Sequence, residues 1–380
     1  MLEIPMSGIK KIEEIAQSSS DFISLSQGSI KVGGIPQEIK TYIQQILNTD
    51  KTDYYESCWG IKILREKIAS TMNARHGTDF SAANVVPTHG CIGGLSLLYL
   101  TLLNPGDEVI IPEPAYPAYS ILAQASRAVA KMVTSLKQSA ELGWFLDIEA
   151  IKAATTERTK IIIFSNPWNP LGIIVPEKDI LELIAWCEFR GIYLVLDEAY
   201  RDYVFEGSMR PGLTYMKESS FVVSANTFSK NMAMSGWRVG YLLVPEQLAK
   251  PLAGMQDALL NCLNNTAQYA ALYALDHPEF TAHFYQKIKA NRDLTLSLLQ
   301  PLFDTGIFAA QKPAGGFFLF LKTQEADATD LCMSILHQAK VGLIPGKSFG
   351  PTGQSFIRLC YARDTELLHE GIDRIIKFFN

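Results

Sequence analysis

Apolar residues recur along this chain in two rhythms, and the change from one to the other organises it. Near the start Ile9, Ile12, Ile15 and Ala16 fall at helical spacing, which predicts a short amphipathic helix over 8–16. Residues 23–29 (ISLSQGS) read as a short strand running into a glycine turn, and 36–47 return to the helical period. Tyr54 and Tyr55 sit in a polar loop before a helix that opens at GIKILREKIA, whose exposed face alternates in charge.

From residue 84 the strand rhythm takes over. Short apolar runs at 84–87, 109–112, 161–165, 192–197, 221–225 and 239–244 are bounded by turn signals, with helical segments between several of them. The segment THGCIGG (88–94) reads as a turn opening a small-residue helix that reaches Leu103, and NPGDE (104–108) as a tight turn. Apolar strands alternating with helices predict an α/β fold with a mostly parallel sheet covered on both faces. Functional residues are then expected just beyond the carboxyl ends of the strands. After about Gln268 the pattern changes. Helices over 268–275 and 279–299, the latter stopped at Pro301, lead to a strand over 315–321, a helix over 328–339, strands at 341–345 and 356–361, and a last helix over 366–379. This order predicts a separate α+β unit. The expected division is an N-terminal arm with part of a small domain (1–33), a large domain (34–275) and a C-terminal small domain (276–380).

Composition narrows the function. The 380 residues are 48% hydrophobic and 19% charged, with a formal net charge of −5, and no basic stripe argues for a nucleic-acid partner. Six cysteines are scattered with no C-x-x-C pair, and the histidines lack metal-ligand spacing, so thiols in a reducing compartment are expected and no metal. The first residues carry no signal-peptide apolar core, and the run 91–103 is too short to span a bilayer. The cytoplasm is the expected location.

The chemistry concentrates in residues 221–242, FVVSANTFSKNMAMSGWRVGYL. Lys230 stands there with Thr227 and Ser229 before it and Arg238 after it. Two hydroxyls and a guanidinium suit a phosphate dianion, and an amine desolvated beside another cation has a lowered pKa and forms Schiff bases. An aldehyde carrying a phosphate, pyridoxal phosphate, satisfies both. Taken alone, Lys230 would read as a solvated surface lysine, but the other motifs point the same way. Asp197 in DEAY (197–200) closes an apolar strand, where its carboxylate either caps the next helix or bonds a protonated pyridine nitrogen. SNPWNPLG (165–172) leaves Asn169 on a loop fixed by two prolines and a glycine. Around Cys91 and Ile92 a glycine-rich turn presents backbone N–H groups at a helix start. PGKSFG (345–350) is no Walker A sequence, because Val341 stands where its first glycine belongs. Tyr116 in EPAYPAY could stack on an aromatic cofactor, and Arg358 in the apolar run FIRLCY needs an anion if it is buried.

Together and in this order, NPWNPLG, DEAY and SKNMAMSGWRVGY resemble the fold-type I, class I/II aminotransferases, the aspartate aminotransferase family, and the resemblance covers nearly the whole chain. It implies a large domain built on a seven-stranded sheet, a smaller α+β domain, pyridoxal 5′-phosphate as cofactor, and exchange of an amino group between an L-amino acid and a 2-oxo acid. Lys230 would bind the cofactor and move the substrate proton. Asp197 would pair with the ring nitrogen, Tyr200 and Asn169 with the ring hydroxyl, and Tyr116 would stack. Thr227, Ser229, Arg238 and the backbone at Cys91 and Ile92 would hold the phosphate. Tyr55 would reach the phosphate of a neighbouring subunit, which implies a homodimer. Arg358 and Asn169 would bind the substrate carboxylate, with Gly28 and Phe317 lining the same pocket. The chain departs from the family pattern at Leu171, at Trp168, at Thr227 and in the segment after Gly28, SIKVGGIP, and has no arginine between Arg238 and Arg292 for a distal carboxylate. Other reactions of the same cofactor (β-lyase, cyclase or oxidase) and a non-enzymatic sensor are the alternatives.

Overall fold

A computed structural model describes residues 8–16, 19–139 and 143–380; the first seven residues of the expected arm lie outside the described residues. The central sheet has seven strands: β1 (Val85–Thr88), β2 (Glu108–Pro112), β3 (Val129–Val133), β4 (Thr159–Ser165), β5 (Tyr193–Asp197), β6 (Val222–Thr227) and β7 (Gly240–Leu243). Their spatial order is β1-β7-β6-β5-β4-β2-β3. β7 runs antiparallel to both its neighbours, and the remaining pairs are parallel.

β4 shows why the sequence folds this way. Ile161, Ile162, Ile163 and Phe164 are all fully buried. Ile162 and Phe164 face one apolar cluster while Ile161 and Ile163 face another, so the strand is covered on both sides. That double burial explains an uninterrupted apolar run in place of alternation. Helices supply the cover, among them the crossovers Gly90–Leu102 and Glu177–Arg190 and, after β7, Glu246–Leu260.

Beyond the large sheet, Phe308–Ala309, Phe318–Thr323, Phe356–Cys360 and Ile344–Pro345 form a four-stranded antiparallel sheet in that order. The long helix Pro278–Asp304 and the last helix Thr365–Phe379 share an apolar cluster with it. Ile23–Ser24 pairs in parallel with Val341–Gly342, which sets the start of the chain against its end.

Four elements differ from expectation. The edge strand β3 and the hairpin Leu136–Ser139/Gly143–Leu146 were not anticipated: β3 has no buried residue, and of the hairpin's described side chains only Leu136 and Leu146 are buried. The helix expected to stop at Pro301 continues to Asp304. Leu299 and Leu302 are buried at helical spacing on either side of that proline, and their packing outweighs one missing N–H near the helix end. The helix expected over 328–339 is α-helical over Thr329–Ser334 and widens to π over Ile335–Ala339.

Gly240 fixes the junction on which the site is built. It pairs with Thr88 on one side and Thr227 on the other, joining the ends of β1 and β6. A Cβ here would fall 2.5 Å from the Asn226 carbonyl oxygen and 2.9 Å from the Cys91 nitrogen, both backbone atoms. We therefore expect Gly240→Ala to lower the urea midpoint of unfolding, by about 1–3 kcal/mol of stability; an unchanged midpoint would show that the junction relaxes freely.

Candidate active site

The carboxyl ends of β1, β4, β5 and β6 open onto one cavity of about 510 Å³. Asp197, the last residue of β5, is buried at its floor and stands in register with Ser165 of β4 and Ala225 of β6. Its Oδ2 accepts a hydrogen bond from the Tyr119 hydroxyl at 2.7 Å. Its Oδ1 accepts from the Ala199 N–H at 3.0 Å and from the Cys91 thiol at 3.5 Å. Burial raises the Asp197 pKa, and these donors together with Lys230 oppose the rise.

Lys230 lies in the loop that follows β6. Its backbone carbonyl accepts from the Tyr203 hydroxyl at 2.7 Å, and its amine donates to the Gly28 carbonyl. The accessible part of the side chain faces the cavity, and protein surrounds the rest. Burial lowers the amine to about 8, and the Arg358 and Arg238 guanidiniums add to the lowering. Such an amine is a nucleophile near neutral pH.

One end of the cavity is built for an anion. The helix Gly90–Leu102 starts there, with the unpaired N–H groups of its first turn. Arg238, held at φ 56°, brings its guanidinium so close to this start that a Cβ on Gly90 would lie 2.8 Å from Nη2. Thr227 and Ser229 line the same end, and the Thr227 Oγ1 accepts from the Ser229 N–H at 3.1 Å. Only a glycine at 90 leaves that space open.

Arg358 forms a second anion-binding group. It is 1% exposed, between the Phe318 ring at 4.1 Å and the Phe349 ring at 4.7 Å. Nη1 donates to Asn169 Oδ1 at 3.0 Å and Nη2 to the Ser26 carbonyl at 2.7 Å, while Nε is buried without a partner. Burial lowers its pKa to about 10, which leaves it cationic at neutral pH. A buried guanidinium with a spare donor suits a carboxylate. Among the described residues around the cavity, Lys10, Lys230, Arg238 and Arg358 face one carboxylate, Asp197.

The family model "Aminotransferase class I and II" matches residues 20–375. The chain belongs to this family of aminotransferases. It is 31% identical to the aspartate aminotransferase of Sulfolobus acidocaldarius over 86% of this chain and 82% of that one. It is 30% identical to the probable aspartate/prephenate aminotransferase of Aquifex aeolicus over 97% and 93%. Among solved structures, the aspartate aminotransferase of Thermotoga maritima superposes with a TM-score of 0.90 at 28% identity, covering 99% of this chain and 98% of that one.

Of the residues that the sequence singles out, this aminotransferase brings Gly28, Cys91, Ile92, Tyr116, Asn169, Asp197, Tyr200, Thr227, Ser229, Lys230, Arg238 and Arg358 to the one cavity. Tyr55 is not among them; it is 83% exposed and lies by a second hollow with Tyr54 and Asn265. Phe317 does not line the cavity either. Its ring is buried edge-on to Tyr200 and Tyr203, and Phe318 takes the cavity face. Successive strand residues point to opposite faces, so one position of register decides between them. Trp168, unusual for the family pattern, is a core anchor: 1% exposed, stacked on Phe164 at 5.1 Å and donating from Nε1 to the Pro114 carbonyl. Leu171 is buried beside it in the same apolar cluster.

Sequence reasoning missed Ile9, Lys10 and Tyr119. The first two sit on a helix whose visible signal is amphipathicity alone, and only tertiary structure brings it to the cavity. Tyr119 was legible as part of YPAY but carried no signal of its own.

The lowered amine gives a direct test. In the ligand-free protein, modification of Lys230 by an amine-selective reagent, read by peptide mass spectrometry, should rise about tenfold per pH unit below about pH 8 and level off above it. A midpoint near that of ordinary lysines would remove the desolvation argument.

Proposed function

We propose that the cavity holds pyridoxal 5′-phosphate and that the protein exchanges an amino group between an L-amino acid and a 2-oxo acid. The observation that carries this reading is the Lys230 amine facing the same cavity as the buried Asp197 and the Arg238 anion site. The residues fit the group. The open space at Gly90, the helix start, Thr227, Ser229 and Arg238 suit its phosphate, and Asp197 suits its ring nitrogen. Tyr116 supplies an aromatic face, and Tyr200 with Asn169 supplies donors for the ring hydroxyl. When bound, the cofactor supplies a conjugated, electron-withdrawing ring that makes the α-hydrogen of an attached amino acid acidic.

The chain's own residues do the rest. Lys230, neutral above about pH 8, takes the proton from the substrate α-carbon and returns it. Asp197 accepts three hydrogen bonds that favour its ionised form against burial, and in that form it would favour a protonated ring nitrogen. Arg358 grips the substrate carboxylate with its unused donors and sets the orientation of the α-carbon. Relatives named for aspartate support an acidic substrate. Lys10, the cation of the described lining with no other role in this reading, supports it too.

A homodimer in the cytoplasm completes the reading. Tyr55, exposed and outside its own subunit's cavity, would serve a partner's site. Six free cysteines suit a reducing compartment. The division of the chain at 33 and 275 is likewise a proposal. Its support is an apolar cluster that joins Ile23, Leu25, Ile30 and Val32 to residues of the C-terminal sheet and helices.

The deciding experiment is the visible spectrum of the cofactor-loaded protein. A yellow band should bleach on addition of an amino-acid donor and return with a 2-oxo acid. A band that never cycles would overturn transamination. Lys230→Ala should lose about 10²–10⁴-fold or more in turnover, since general-base catalysis is removed; near-normal turnover would sink the assignment. Arg358→Lys should raise KM for the amino acid about tenfold or more with a smaller change in kcat, because a point charge replaces a bidentate fork. Unchanged saturation would place the carboxylate elsewhere.

A further inference from the structure

Asp197 is held by two helices on either side of it. The Tyr119 hydroxyl, on the helix Ala118–Ala125, fixes Oδ2 at 2.7 Å. The Cys91 thiol, in the first turn of the helix Gly90–Leu102, sits 3.5 Å from Oδ1, which the Ala199 N–H also holds at 3.0 Å. Because each oxygen is engaged by a different element, the carboxylate cannot rotate without losing a donor. Both side chains are buried, and the Tyr119 oxygen has one further neighbour in the Ser165 hydroxyl. A carboxylate this deep would otherwise take up a proton.

We propose that Tyr119 and Cys91 are positioning residues for Asp197, fixing the orientation of its carboxylate and keeping it ionised against the cofactor's ring nitrogen. Neither touches the reacting atoms; both act through Asp197. The inference rests on the reading of Asp197 as the partner of that nitrogen. Cys91 has a second consequence. Its backbone belongs to the helix start that forms the anion site, so the same residue ties the phosphate end of the cavity to the ring-nitrogen end.

The sign of the effect follows from proton affinities. With a donor removed, Asp197 becomes more basic and would leave the ring nitrogen of a bound cofactor less positive. A less positive ring would withdraw fewer electrons, so the visible band of the loaded protein would titrate at higher pH. The titratable groups that face Asp197 are Cys91 and Tyr99 from one helix, Tyr116 and Tyr119 from the other side, its neighbours Glu198 and Tyr200, and Lys230. Among these, burial pushes the thiol and the phenols upward, so they stay neutral donors where the band is titrated, and in the loaded protein Lys230 itself holds the cofactor.

The test compares pyridoxal phosphate-loaded wild type with Tyr119→Phe, Cys91→Ala and Cys91→Ser. The readouts are the pH midpoint of the visible band and the rate of cofactor loss on dialysis. Tyr119→Phe should move the midpoint upward by about one pH unit and speed cofactor loss about tenfold. Cys91→Ala should move the midpoint the same way by less, and Cys91→Ser, which restores a donor, should return it toward wild type. An unmoved or lowered midpoint in Tyr119→Phe overturns the proposal, as does identical behaviour of the two Cys91 variants. Should Tyr119→Phe fail to fold, the Cys91 pair decides alone. A wild type with no visible band would overturn the functional reading, and this proposal with it; a normal wild-type band with unmoved variants overturns the proposal only.

Discussion

Charge burial is the constraint on which this structure turns. Asp197, Lys230 and Arg358 all lose water around the cavity, and in each case burial pushes against the ionised form. The fold answers differently for each. Asp197 is given donors on both oxygens. Arg358 is placed between two aromatic faces and given two acceptors, with one N–H left over. Lys230 is given one carbonyl acceptor, and its pKa is left low. Of the two cations, Lys230 is the one whose charge changes near neutral pH.

Such an arrangement survives only on a rigid base. Ser165, Asp197 and Ala225 are register partners across β4, β5 and β6, so their positions are fixed by backbone hydrogen bonds. The opposite wall is tied down by charge. Arg363, 2% exposed, donates to the carbonyls of Ser24, Gln27 and Ser29 at 2.6–2.7 Å. Glu13, from the first helix, accepts from the Ser24 and Ser26 hydroxyls at 2.7 and 2.6 Å. One arginine and one glutamate therefore hold the segment whose Ser26 and Gly28 carbonyls receive Arg358 and Lys230. Losing Arg363 would leave buried carbonyls, and losing Glu13 buried hydroxyls, without their hydrogen-bond partner, at about 1–3 kcal/mol per group.

What the sequence made legible follows from the same physics. Strand ends in a parallel sheet converge, so DEAY, NPWNPLG and the stretch around Lys230 could be assigned to one place without knowing the order of the strands. Apolar runs buried on both faces announced β1, β2, β4, β5, β6 and β7, while the edge strand β3, with Val129 47% exposed, gave no such run. Register and tertiary choice were illegible. Phe317 and Phe318 differ by one position, and only the pairing of Phe318 with Cys360 decides which ring meets the cavity. Tyr119 and Arg363 were invisible for a related reason. A buried polar residue is defined by its partners, and those partners lie 78 and 339 residues away in the chain.

The segment after Gly28 shows how packing reassigns a wall of the cavity. Ile30 and Val32 are buried in the apolar cluster of the C-terminal sheet, and the Lys31 N–H donates to the Ala362 carbonyl at 3.0 Å. Gly33 and Gly34, both at positive φ, turn the chain away toward the helix Gln37–Ile46. The segment is thus committed to the core beneath Arg358. From this segment only Ser29 lines the cavity, and the helix Gly8–Ala16 brings Ile9 and Lys10 there. Ile12 and Ala16 pack that helix near Gly342, so its cavity face is set by residues that touch neither Asp197 nor Lys230. The part of the wall best able to change without disturbing the strand-end residues is therefore this helix face. The wall that carries Ile9 and Lys10 and the walls that carry Asp197, Lys230 and Arg358 thus rest on separate elements of the fold.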